Sequence, residues 1–130
     1  WLPVCADAHG FVVNKDLFEK YDIPLPTDYE SFVSACEAFE EVGIRGFTAD
    51  YYYDYTCMET LQGLSASELS SVDGRKWRTT YSDPDNTKRE GLDSTAWPKA
   101  FERMEQFIQD TGLSQDDLDM NYDECSRIRA

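Results

Sequence analysis

The stretch that most constrains the fold runs from Pro24 to Gly43. Pro24 and Pro26 interrupt whatever precedes them. Thr27-Asp28-Tyr29-Glu30 then has the spacing of a capping box, in which the Thr27 hydroxyl and the Glu30 carboxylate each accept from the other's backbone N–H. Tyr29, Phe32, Val33, Cys36 and Phe39 follow at helical spacing as a single apolar stripe. Gly43 supplies a left-handed stop. No other element of the chain is as fully specified.

The rest reads mostly as helix. Asn14 is placed to cap a short helix over 15–20, with Leu17, Phe18 and Tyr21 facing inward. From about Tyr53 to Leu64 the pattern is helical, with Cys57, Met58, Leu61 and Leu64 on one side. Ser65-Ala66-Ser67-Glu68 predicts a second capping box opening a short helix to about Val72. Residues 73–93, rich in Asp, Gly, Ser, Asn and Thr, predict an exposed loop. Ser94 is expected to cap a long helix with the stripe Trp97, Ala100, Phe101, Met104, Phe107 and Ile108, Pro98 falling in its first turn and Gly112 ending it. A last helix starts at Asn121 or Tyr122, where Asn121 and Glu124 have capping-box spacing, and reaches Ile128. Two extended pieces, 2–6 and 10–13, and a short buried strand over 44–49 complete the reading. The expected class is α/β but predominantly helical, since so few strands form only an incomplete small sheet.

At 130 residues the chain has the size of one domain. It opens without Met and in mid-pattern, as an excised piece of a larger protein would. Twelve Lys and Arg against 26 Asp and Glu leave a net charge of −14, which argues against nucleic acid or an anionic membrane as partner. Disorder is excluded by composition: 41% of residues are hydrophobic and 14% aromatic, more than an acidic disordered tail carries. No apolar run approaches the ~18 residues of a membrane span.

Catalytic and metal chemistry finds few anchors. His9 is the single histidine and has no nucleophile motif around it. Glycine-rich phosphate loops are missing, and the acidic rhythms at Asp83-Asp85-Thr87 and Asp117-Asp119-Asn121-Asp123 do not fit a calcium loop. No cofactor or metal is expected. Cys5, Cys36, Cys57 and Cys125 contain no C-x-x-C pair and allow three pairings; buried free thiols are the plainer reading. The informative feature is Tyr51, Tyr52, Tyr53 and Tyr55, flanked by Asp50 and Asp54. Four phenols so close together are hard to bury, because each hydroxyl needs a partner. Rings of this kind offer the C–H face of a sugar something to stack on, and carboxylates accept its hydroxyls.

Gly10-Phe11-Val12-Val13-Asn14-Lys15-Asp16-Leu17-Phe18, followed by Ile23-Pro24 and Pro26-Thr27-x-x-Glu30-x-Phe32, resembles the extracellular solute-binding proteins of ABC sugar importers. Glu40-Glu41-Val42-Gly43-Ile44 and Asn121-Tyr122-Asp123-Glu124 fit the same scheme. Val13 stands where that family commonly has Tyr, and Tyr29 where it has Trp. The resemblance covers nearly the whole chain and is weakest over 66–93. It implies most of the second, C-terminal lobe of a type II periplasmic-binding-protein-like fold, in which two lobes close on a ligand.

By similarity to the maltose-binding members, Asp7 falls where a sugar-binding carboxylate lies and Tyr53 where an aromatic stacks on the sugar. Tyr51 falls at a neighbouring carboxylate contact, and His9 lies beside Asp7. Tyr51 in place of an acid is a departure that alters the hydrogen bond and the sugar it suits. The implied role is non-enzymatic capture of a sugar or oligosaccharide for a membrane permease. The implied location is the extracellular face of the membrane or the periplasm, with a lipid anchor on the full-length protein. Three alternatives stay open: a fragment of a carbohydrate-active enzyme, a helical interaction module, and a receptor of the same fold for a polyamine or other small solute.

Overall fold

The computed structural model describes residues 5, 9–85 and 91–129. Among these the regular structure is helical: α1 (Lys15–Lys20), α2 (Tyr29–Glu41), α3 (Asp54–Leu69), α4 (Val72–Tyr81), α5 (Trp97–Asp110), α6 (Gln115–Leu118) and α7 (Tyr122–Arg129). A 3-10 turn at Leu92–Ser94 precedes α5. No described helix is long and apolar enough to cross a membrane.

Local chemistry sets most of the boundaries. The Asn14 side chain accepts from the Leu17 N–H at 3.3 Å and opens α1. At α2 the cap lies one residue later than Thr27. Asp28 accepts from the Ser31 N–H, and the Ser31 hydroxyl accepts from the Asp28 N–H, a reciprocal box that does not use Glu30. Gly43 and Gly112 carry φ of +78° and +67° and end α2 and α5 as the sequence indicates. Asn121 and Glu124 form the expected box at the start of α7. The sequence reading lacks α6 altogether. There Ser114 and Asp117 cap each other, and Asp117 also pairs with Arg45.

Four expectations are corrected. The box at Ser65 does not start a helix: the buried Ser65 hydroxyl donates back to the Gln62 carbonyl, so α3 continues to Leu69. Residues 73–81 of the expected loop belong to α4, which is capped by Ser71 and packs closely on the end of α3 at Gly74. A Cβ on Gly74 would lie 2.4 Å from the Glu68 carbonyl oxygen. Ser94 falls in the 3-10 turn and α5 begins after Ala96, with the Thr95 hydroxyl accepting from the Trp97 N–H. The strand over 44–49 is absent, as is any other strand among the described residues. Its burial is real, but helices supply the neighbours: Gly46 is pressed onto the Cys36 backbone of α2, and Phe47 packs on Phe107 of α5. A strand needs a paired backbone, and 10–13 offers none. Most of the 2–6 piece lies outside the described residues.

The core has two centres. In one, Leu61 of α3 meets Ala100 and Met104 of α5, with Tyr51, Cys57, Leu64, Trp97 and Ile108 packed around them. In the other, Phe11, Phe32 and Phe107 lie nearly parallel, with interplanar angles of 3 to 11°. Phe47 stands edge-on to all three at 5.3 to 5.9 Å. Tyr29, half exposed, ties α2 to α5 by donating to Asp110 at 2.8 Å. Arg103 of α5 reaches Glu68 of α3 at 2.7 Å. Phe101, expected inward, is largely exposed at the margin and leans on Trp97.

Candidate functional site

The tyrosine run occupies the turn into α3. The Tyr53 N–H donates to the Asp50 carbonyl at 3.3 Å, and the Thr56 hydroxyl donates to the carbonyls of Asp50 and Tyr53 at 2.7 and 2.8 Å. This ties the turn to the first turn of the helix. Tyr53 is the extended residue preceding α3. In such a turn successive side chains cannot share one direction, and the four phenols divide.

Tyr51 goes inward. It packs against the Leu61 cluster and donates to the Thr60 hydroxyl at 3.0 Å. Burial pushes its phenol up to about 12, against the lowering effect of the Thr60 bond. Tyr52, Tyr53 and Tyr55 go outward, with 63%, 37% and 60% of their surface exposed. Tyr53 and Tyr55 stack at 5.7 Å with 26° between their planes, and Tyr52 meets Tyr53 edge-on at 5.2 Å. The geometry is that of attractive aromatic pairs, yet much of the ring surface remains in water. The Tyr52 N–H donates to the Met120 carbonyl at 3.2 Å, which brings the loop between α6 and α7 alongside.

His9 joins the same helix. Its Nδ1 lies 3.4 Å from an oxygen of Glu59, one helical turn beyond Tyr55. Both side chains are well exposed, so this contact positions the 9–14 segment more than it stabilises it. Of the four residues that sequence reasoning assigned to the site, Tyr53 is exposed at the start of α3 and His9 contacts Glu59 of the same helix. Tyr51 is a packing residue, and Asp7 lies outside the described residues. Tyr55 and Glu59 were not assigned, although their i, i+4 spacing within a helical pattern is legible. Tyr52 is fixed by a contact with Met120 that no local pattern signals.

Two shallow concavities, one lined by Lys15, Phe18, Asp22 and Pro24, the other by Glu40, Arg45, Thr111 and Asp117, exclude the tyrosines. With 37 to 63% of their surface exposed, Tyr52, Tyr53 and Tyr55 form an open platform. Among the described residues no group of three or more His, Cys, Asp or Glu is placed to hold a metal ion. Cys5, Cys36 and Cys57 are free thiols. Cys36 is buried, its sulfur 3.7 Å from the Gly46 carbonyl, and burial raises its thiol to about 11. No protein-family model, curated protein or solved structure matches the chain.

Proposed function

We propose that the chain is part of a two-lobe solute receptor, its second lobe, which captures a sugar or oligosaccharide on the exposed tyrosines at the start of α3. The observation that carries this reading is the Tyr52-Tyr53-Tyr55 platform. Tyr53 contacts the rings of both Tyr52 and Tyr55, and all three keep surface open to water. Ring faces of this kind take the C–H face of a sugar, and phenolic hydroxyls and carboxylates orient such ligands. The platform's openness suits a half-site, because small-molecule sites ordinarily enclose most of their ligand. A facing lobe would supply the second wall, and closure of the two would present the loaded form to a membrane permease. The resemblance of the Asn14-Lys15-Asp16-Leu17-Phe18 stretch to ABC importer receptors supports the same role, outside the membrane and without catalysis.

The test is an amide NMR titration of the chain with glucose and maltose at millimolar concentration. Shifts are expected over Asp50–Tyr55 and at Glu59. Tyr53→Ala is expected to weaken the binding by more than ~1 kcal/mol, the worth of an aromatic anchor. Saturable shifts elsewhere, unaffected by that substitution, would remove the platform from the site.

A further inference from the structure

The surroundings of the platform bear on the charge of its ligand. Between Arg45 and Arg75 the sequence contains no Lys or Arg, while Asp50, Asp54, Glu59, Glu68 and Asp73 lie in that interval. All three exposed rings and the whole of α3 fall within it. A second cation-free interval runs from Arg103 to Arg127 and holds Glu105, Asp110, Asp116, Asp117, Asp119, Asp123 and Glu124. The two intervals meet at the platform, where the Tyr52 N–H donates to the Met120 carbonyl. The arginines that do reach these intervals pair away from the rings: Arg45 with Asp117, and Arg103 with Glu68.

Resting on the receptor reading above, we infer that the solute captured on the tyrosine platform carries a positive charge, as an amino sugar or other small hydroxylated amine does. An aromatic face attracts a cation through its quadrupole, and Tyr is among the better faces. Asp54 lies between Tyr53 and Tyr55 in sequence, and the Asp50 carbonyl accepts the backbone bond that shapes the turn, while Glu59, one turn on, is already engaged by His9. The N-terminus of α3 opposes this with about half a positive charge. The carboxylates of Asp50 and Asp54 outweigh it with two full charges of the other sign. A neutral sugar would use the ring faces and leave this field idle.

Glucose and glucosamine provide the test, because they differ by one hydroxyl replaced by an ammonium at pH 6. The chain is titrated with each, and with neutral N-acetylglucosamine, following the amides of Asp50–Tyr55 and Glu59. Glucosamine is expected to bind ~2-fold to ~5-fold more tightly than glucose at low salt, the range expected for a cation over an exposed ring. High salt should narrow that advantage, and Asp54→Asn should lower the ratio of glucosamine to glucose affinity. Equal, saturable binding of all three sugars at the platform would overturn the inference and leave the receptor reading intact. If none of them shifts these amides, the receptor reading fails and the inference fails with it. Non-saturating shifts spread evenly over the acidic surface with glucosamine alone would show simple counter-ion association, and would also overturn the inference.

Discussion

Two aromatic clusters of similar geometry sit in this chain and do opposite things. Phe11, Phe32, Phe47 and Phe107 combine stacked and edge-on contacts around a ring, that of Phe107, with no exposed surface. Tyr52, Tyr53 and Tyr55 combine the same two kinds of contact with their outer surfaces in water. The first cluster draws its members from four separate parts of the chain, so Phe32 and Phe47 meet Phe107 from different elements, while Phe11, itself 56% exposed, covers it from the surface. The second takes all its members from one turn, so its rings contact one another and leave much of their outer surface in water. Aromatic contact geometry alone therefore does not make a core; the connectivity behind it decides whether the faces are consumed or left available.

The comparison breaks first at Phe107. Phe107→Ala empties the centre of the phenylalanine cluster and should cost ~3–5 kcal/mol in urea denaturation followed by circular dichroism. Phe101→Ala, at an exposed margin, serves as the control. A loss at Phe107 no larger than at Phe101 would mean that the cluster is not a core. Gly46→Ala probes the support beneath Phe47. Its Cβ would lie 2.5 Å from the Cys36 carbonyl oxygen, a backbone atom that cannot swing away, so ~1–3 kcal/mol of destabilisation is expected.

Tyr51 marks the border between the two behaviours. Its folded-state pKa is raised above the ordinary phenol value of 10.0 to about 12. The folded state then holds the proton more firmly than the unfolded state does. The resulting stability is fully present below pH 10 and is lost as pH rises towards 12. Denaturation midpoints across that window should fall less steeply in Tyr51→Phe than in the parent chain, and identical slopes would contradict the inward placement. The smallest effect on stability belongs to Tyr53→Ala. It should shift the denaturation midpoint by no more than the ~0.5 kcal/mol typical of surface substitutions, while still reducing solute binding.

Legibility from sequence followed the range of the interactions. The caps at Asn14, Asn121, Gly43 and Gly112 act within a few residues, and the pattern displayed them. Capping boxes were less secure, because serine has more than one local partner. Ser31 replaced Glu30 as the reciprocal partner at α2, and Ser65 bonded within its helix instead of starting one. The 44–49 segment had the composition of a buried strand, yet its neighbours proved to be α2 and α5, which composition does not identify. In the tyrosine run the presence of a platform was readable from four phenols in five positions. Which of them turned inward was not, since that depends on Thr60 and on the Leu61 cluster.

The hydrogen bond from Tyr52 to Met120 joins residues about half the chain apart. Closing a loop of that length costs entropy before the contact returns any benefit, so the contact belongs to the late events of folding. The rings can assemble early from their own turn, but the acidic segment arrives beside them only when the C-terminal helices dock. A partial opening that released that segment would leave the tyrosines stacked while removing one side of the electrostatic field around them. The Tyr52 amide is thus a clock for this docking: its hydrogen exchange should report the lifetime of the closed arrangement independently of the unfolding of α3.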